Sequence, residues 1–293
     1  MKITRHSPVL LAEVLEALPT SWVWLDGTLG HGGHTQAWLA QEPVDATRHV
    51  VGTDRDEAML AKARDFLAEV TGKVTFVQGS YADFELIQEQ SGVKQFDAML
   101  LDLGVNMDHF TDGARGFSIK RDGALDMRFD RSRGKTLAER LVQVRPPQLQ
   151  EQLMQHGDFS SKFAHDLADD LLRAHRRKAF VTTQDIRTWC KERGMSDKTI
   201  AILFQALRIW VNDELGELQK FLQSFPQWLH SWGRCIIISY HSGEDRMVKE
   251  AFKQLITDGV WTLINKKVIT PAYTEVQKNP AASSAKMRIF QKF

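Results

Sequence analysis

The stretch that most constrains this chain is a glycine-rich turn, Leu25-Asp-Gly-Thr-Leu-Gly-His-Gly-Gly-His34, set between an apolar segment and a helical one. A backbone passing tightly beneath a ligand has no room for a Cβ and often needs positive φ. Gly30, Gly32 and Gly33 therefore read as the floor of a binding turn. Trp22 to Leu25 reads as a strand before the turn, and His34 to Ala40 opens a helix after it. A second strand, His49 to Gly52, runs on to Asp54. That acid stands about twenty residues past the glycines, where a carboxylate can hydrogen-bond ribose hydroxyls. A glycine turn alone is common, and Asp54 alone can simply cap the helix that follows. Strand, glycine turn, helix, strand and acid in that order favour a nucleoside-type cofactor.

The rhythm continues with a helix from Glu57 to about Val70, a strand at Val74 to Val77 and a more apolar one at Phe96 to Leu101. This β-α-β-α order argues for a parallel sheet with helices on its faces. From about Asn106 to Trp228 no strand is convincing. Helical periodicity there runs through Pro147–Met154, Lys162–Arg173, Thr183–Arg193 and Thr199–Leu222. Strand character resumes at Arg234–Tyr240, Glu244–Ile256 is helical, and Trp261–Ile264 and Met287–Phe290 are further strand candidates. The expected fold is α/β, with a doubly wound, mostly parallel, Rossmann-like sheet. Residues 1–105 and 229–293 would build it, and 106–228 would form a mainly helical insertion suited to substrate recognition.

No Gly-Lys-Ser or Gly-Lys-Thr follows the glycines, so a P-loop is excluded. A dinucleotide is the serious rival, since its acid would stand in the same place, although the turn begins with Asp26 and is no clean G-x-G-x-x-G. Gly79-Ser-Tyr81, after the third strand, lies where an adenine could stack on an aromatic ring. Asp102-Leu-Gly104 ends the fourth strand with a carboxylate and a flexible turn at the same sheet edge. His241, Glu244 and Asp245 follow the later strand as a second candidate cluster, for which a charged helix start is the plain alternative.

Charge narrows the partner class. The 38 Lys and Arg nearly cancel the 37 Asp and Glu, so any nucleic-acid surface must be a local patch. Candidates are Arg128, Arg131, Arg133, Lys135 and Arg140, then Arg173, Arg176, Arg177 and Lys178, then Lys266 and Lys267. Each alone reads as a solvated face, and their gathering around the insertion suggests docking of phosphates. Phe117, flanked by glycine, is a candidate for stacking on an extruded base, whereas Phe204 and Trp210 at helical spacing read as core. The two cysteines, Cys190 and Cys235, stand apart. No His or Cys pairing has metal-ligand spacing, so neither a disulfide nor a metal is expected. Met1 to Glu13 lacks the apolar core of a signal peptide, and no uncharged run approaches the length of a membrane span. The expectation is a cytoplasmic protein with no membrane partner.

Together the motifs resemble one family, the RsmH (MraW) methyltransferases, which methylate the exocyclic N4 of a cytidine in small-subunit (16S) ribosomal RNA. His6-Ser-Pro-Val-Leu-Leu11, Asp26-Gly-Thr-Leu-Gly-His-Gly-Gly-His34 and Asp54-Arg-Asp56 look like its opening signatures. Asp102-Leu-Gly-Val105, Arg115-Gly-Phe-Ser118 and Gly123-Ala-Leu-Asp-Met-Arg128 resemble its middle block. Phe204-Gln-Ala-Leu-Arg-Ile-Trp-Val-Asn212, Tyr240-His-Ser-Gly-Glu-Asp-Arg246 and Ser284-Ala-Lys-Met-Arg288 resemble its later ones. The resemblance implies a class I S-adenosylmethionine-dependent methyltransferase acting on ribosomal RNA in the small subunit. It also implies cofactor contacts at Gly32, Gly33, His34, Asp54, Tyr81 and Asp102, with a further one, usually Gln, at His109, beside the Gly30 already read as part of the turn's floor. Asp102 is the candidate proton acceptor as well as a cofactor-orienting group, and His241 is a second catalytic candidate.

Three departures stand out. The family's Ser-Ser-Pro-Gln is Asn106-Met-Asp-His109 here, and its Phe-His-Ser-Leu-Glu-Asp-Arg begins with Tyr240 and carries Gly243. Its Asn-Pro-Arg-x-Arg-Ser is Asn279-Pro-Ala-Ala-Ser-Ser284. Two other readings stay beside the methyltransferase: a nicotinamide-dependent oxidoreductase using the same glycine turn, and a catalytically silent RNA-binding or assembly protein, kept open by the altered loop 106–109.

Overall fold

Residues Ala98 to Leu101 show why the first half of the chain makes a sheet buried on both sides. Ala98 and Leu100 join Trp24, Val50, Ile236 and Ile238 in one core. Met99 and Leu101 join Leu25, Val51, Val77, Cys235 and Ile237 in another. Alternate residues of a strand point to opposite faces, and a run apolar at every position suits a parallel strand covered twice.

The computed structural model describes residues 8–18, 23–257, 259–265 and 267–293. Trp22, His6, Ser7 and Lys266, named above, lie outside them. The chain divides into two units, Met1–Gly104 with Gly216–Phe293, and Val105–Leu215.

In the first unit, α1 (Leu11–Ala17) precedes β1 (Val23–Asp26), α2 (Gly33–Leu39), β2 (His49–Asp54), α3 (Glu57–Phe66), β3 (Lys73–Gln78), α4 (Phe84–Ser91) and β4 (Phe96–Asp102). After the second unit come α11 (Glu214–Trp228), β5 (Leu229–Ser239), α12 (Ser242–Thr257), β6 (Trp261–Leu263), α13 (Tyr273–Lys278) and β7 (Lys286–Lys292). The seven strands lie in the order β3-β2-β1-β4-β5-β7-β6. Strands β1 to β5 pair in parallel, and β7 runs antiparallel to both its neighbours. This is the doubly wound, Rossmann-like sheet anticipated from the sequence. The order reverses between β1 and β4, and a crevice at the carboxyl ends of such strands is where open α/β sheets bind ligands.

The second unit holds α5 (Met107–Thr111), α6 (Leu137–Gln143), α7 (Pro146–Gly157), α8 (Ser161–Arg177), α9 (Thr183–Glu192) and α10 (Asp197–Asn212) around its own apolar core. No strand occurs in it among the described residues. Its irregular segment is pinned by buried polar groups. Arg115 donates to the carbonyls of Arg128 and Phe129, each at 3.0 Å. The Asn212 amide accepts from Phe129 N at 2.8 Å and donates to Met127 O at 2.7 Å, fixing Met127 at a φ of 60°. Asn212→Ala strands a donor and an acceptor where water is scarce, and it is expected to lower stability by about 2 kcal/mol in urea unfolding. A change below a few tenths would mean that this segment is held in some other way.

Three expectations need correcting. The single helix anticipated over Thr199–Leu222 is two, because Asp213 adopts the left-handed conformation (φ 51°) that ends α10. The insertion does not extend to 228. Helix α11 buries Leu218, Phe221, Leu222 and Phe225 in the core of the sheet unit, and four such side chains contribute roughly 1.5–3 kcal/mol each. Helix α4, not anticipated at all, starts where the Asp83 side chain accepts from Leu86 N at 3.1 Å. Among the described residues no helix is long and apolar enough to cross a membrane.

Candidate active site

The carboxyl edge of the sheet carries an acid at the end of three neighbouring strands, Asp26 on β1, Asp54 on β2 and Asp102 on β4. The glycine turn is stitched to the strands on either side of it. Gly27 N donates to Leu100 O and Leu29 N to Thr53 O, both at 2.9 Å. Thr53 Oγ1 donates to Gly27 O at 2.9 Å. Gly32 caps α2 at φ +82°, and a Cβ there would stand 2.7 Å from Leu67 Cδ1. Gly27, not singled out from the sequence, is the more tightly enclosed. A Cβ on it would meet Leu101 Cδ2 at 2.3 Å and Tyr81 Cβ at 2.9 Å. A Cβ on Gly33 would stand 2.6 Å from Pro8 Cγ.

Asp54 faces the turn. Its Oδ2 accepts from Gly30 N and its Oδ1 from Asp56 N, each at 2.9 Å. The acid thus fixes the glycine backbone and the start of α3 together.

His34 turns inward. Its Nε2 lies 3.0 Å from Val9 O, and since a carbonyl only accepts, that nitrogen carries the proton. Burial lowers the pKa of its ring, against the opposing charge of Asp26. Asp26 is 2% exposed and accepts from Thr35 Oγ1 at 2.7 Å. Burial pushes its carboxyl up to about 6, opposed chiefly by His34 and the Thr35 bond.

Asp102 is held by backbone and side chain. Its N donates to Thr28 Oγ1 at 2.7 Å, and its Oδ1 accepts from the Tyr240 hydroxyl at 2.7 Å. Burial raises the Asp102 carboxyl to about 7; the Tyr240 bond works against that rise and the Glu244 charge adds to it. A carboxylate poised near neutrality suits proton transfer. Tyr81 stands after β3 with its ring edge-on to Phe221, centroids 5.7 Å apart. Next to it, Ser80 Oγ donates to Glu217.

The later strand brings Tyr240 to this edge. His241, one residue on, folds back on its own helix. Its N donates to Glu244 Oε2 at 3.3 Å, and its ring Nε2 lies 3.1 Å from Glu244 Oε1. Asp245 is engaged by Arg288 at 2.8 Å and Lys286 at 3.5 Å, which gives the C-terminal Lys-Met-Arg motif a structural part. His109 belongs to the helical unit, where its ring stacks on Phe117 at 5.1 Å and tilts against Phe129 at 5.3 Å. Phe117 is 3% exposed, so it serves that aromatic cluster and is no platform for an extruded base. Thr28, Gly27 and Tyr240 are the neighbours that sequence reasoning passed over. All three lay inside quoted motifs, and the signal was there to follow.

The basic clusters fare unequally. Arg128 pairs with Asp126 and Arg133 with Asp130, each at 2.6 Å, so much of the first cluster is neutralised within its own loop. Arg173 pairs with Asp170. Arg176, Arg177 and Lys178, at the end of α8, are exposed.

The strand order, the antiparallel last strand, the glycine turn and the acid closing β2 define a class I S-adenosylmethionine-dependent methyltransferase. The chain belongs to the MraW methylase family, whose model matches residues 3–293. It is 38% identical to the ribosomal RNA small subunit methyltransferase H of Sorangium cellulosum, over 97% of this chain and 90% of that one. The protein of that name from Elusimicrobium minutum is 36% identical, over 98% of each chain. The crystal structure of an rRNA methylase from Streptococcus thermophilus is similar over 100% of this chain and 99% of that one, at 12% identity and a TM-score of 0.42. Membership of a methylase family removes the nicotinamide-dependent reading.

Proposed function

We propose that this chain transfers the methyl group of S-adenosylmethionine to N4 of a cytidine in small-subunit ribosomal RNA, in the cytoplasm where ribosomes are assembled. The observation that carries the reading is the full-length likeness to small-subunit methyltransferases, joined to an acid at the end of β4 whose carboxyl sits near neutrality.

The residues at the sheet edge fit the cofactor. The glycine turn has its Cβ positions closed by Leu67, Leu101 and Pro8, so only a bare backbone passes there. Gly30, Gly32 and Gly33 would hold the amino-acid end, Asp54 the ribose hydroxyls and Tyr81 the adenine. When bound, S-adenosylmethionine supplies a methyl group on a sulfonium, an electrophile that leaves its electron pair on sulfur. The acceptor amine is a weak nucleophile because its lone pair is conjugated into the ring. It must also shed a proton, and of the acids at this edge Asp102, whose carboxyl is raised furthest, to about 7, is the one assigned to take it. Holding amine and methyl in line contributes roughly 7–11 kcal/mol in well-aligned cases, so alignment by the turn and by Asp102 is the main catalytic task. His241, folded on Glu244, serves better as the start of α12 than as a base.

The helical unit, Val105–Leu215, is assigned to RNA recognition, with Arg176, Arg177 and Lys178 reaching phosphates. The test is methyl incorporation from labelled cofactor into small subunits from a strain lacking the gene, with the modified nucleoside identified by mass spectrometry. N4-methylcytidine is the expected product. Reversing the charge of Arg176 and Arg177 should raise the RNA KM and flatten its salt dependence. Tight cofactor binding without incorporation would identify a silent assembly protein instead.

A further inference from the structure

Strand β5 lies beside β4, with Ile238 opposite Asp102 in the register. Two residues past Ile238, the Tyr240 hydroxyl donates to Asp102 Oδ1 at 2.7 Å. Its ring is seated against the bend after Asp102. Gly104 has a φ of +108°, and a Cβ there would touch the Tyr240 ring at 3.4 Å. Its backbone N donates to Glu244 Oε2 at 2.9 Å, which ties the tyrosine to the start of α12. Thr28, from the glycine turn, accepts from the backbone N of Asp102. Backbone and one carboxylate oxygen are therefore both fixed, while Oδ2 accepts no hydrogen bond from the described residues.

We propose that Tyr240 is a positioning residue for methyl transfer, holding Oδ1 of Asp102 so that Oδ2 faces the acceptor amine in its ionised form. The proposal rests on Asp102 being the proton acceptor. The charged groups facing this pair are Asp26 from β1 and Glu244 from α12, with Glu275 from α13 facing Tyr240. All three are acids; burial first, and then the Glu244 charge, favour a proton on Asp102. Of the side chains touching it, the Tyr240 hydroxyl is the one that favours the carboxylate. Tyr240→Phe removes this hydroxyl and keeps the ring that packs against Gly104.

The experiment measures single-turnover methyl transfer against pH in the full-length protein with saturating cofactor and RNA. Wild type, Tyr240→Phe, Asp102→Asn and the double variant are compared, with cofactor affinity and melting temperature measured for each. Losing the hydroxyl leaves burial and the neighbouring acids unopposed, so the rising limb in Tyr240→Phe should move up by about one pH unit. Its rate should fall about fivefold at the midpoint of the wild-type limb and about tenfold on its acid side, and recover to within about twofold on the alkaline plateau. In the Asp102→Asn background the tyrosine change should cost less than about twofold, because its route to the reaction is gone. A limb that stays in place, or an equal loss in both backgrounds, overturns the proposal while leaving Asp102 as acceptor. Wild-type turnover in Asp102→Asn removes the acceptor itself, and the proposal with it.

Discussion

Asp102→Asn is expected to lower turnover by roughly 10²–10⁴-fold, the range attributed to a positioned acid or base, while the protein folds and still binds cofactor. The substitution is nearly isosteric. The bond from the Asp102 backbone to Thr28 is untouched, and the new amide oxygen can still accept from the Tyr240 hydroxyl. What disappears is the capacity to take a proton. The pH dependence of the unmodified protein should carry the same signature. Burial lifts the Asp102 carboxyl from 3.8 to about 7, so below that value the group is protonated in the free protein and cannot accept. The rate should therefore rise with pH through about 7, and in Asp102→Asn that limb should vanish. A bound sulfonium would stabilise the carboxylate and draw the limb to lower pH, never to higher. Single-turnover rates with calorimetric cofactor affinities check this. A variant within threefold of wild type at every pH would exclude the acid from the chemistry.

What could be read from the sequence was what is written locally. The glycine turn, the strand before it and Asp54 after it specify one another over a short span, and β1, β2, β3 and β4 fall at or near their expected places. Features depending on distant partners were hidden. Nothing in Asp213 announces a left-handed residue, so two helices looked like one. Phe221 and Phe225 carry a helical apolar stripe that would suit either unit, and only the packing shows which core they fill. The arginines at 128 and 133 looked like a phosphate patch because the sequence does not say that Asp126 and Asp130 turn toward them. His34 and His109 matched positions of a cofactor site. In the structure the ring of His34 meets the carbonyl of Val9, and that of His109 packs on two phenylalanines. A motif match fixes where a residue sits in the chain and leaves open which way its side chain turns.

Asp54→Ala separates binding from chemistry in the opposite direction. The carboxylate accepts from two backbone N–H groups, Gly30 on the turn and Asp56 ahead of α3, each at 2.9 Å. Hydrogen bonds to a charged group contribute about 1.5–3 kcal/mol each. Removing the carboxylate frees one edge of the glycine turn and takes away the acceptor proposed for the ribose in one change. Cofactor affinity should fall about 100-fold, or roughly 2.7 kcal/mol. Asp54→Asn can still accept through one oxygen but turns an amine toward the other donor, so it should lie between, near a tenfold loss. Because Asp54 ends β2 whereas the proposed acceptor ends β4, the single-turnover rate at saturating cofactor should stay within about threefold of wild type in both variants. That split between affinity and rate is the decisive reading. If Asp54→Ala bound cofactor as tightly as wild type, the turn would hold its shape without the acid, and the ribose would have to be held elsewhere on the sheet edge.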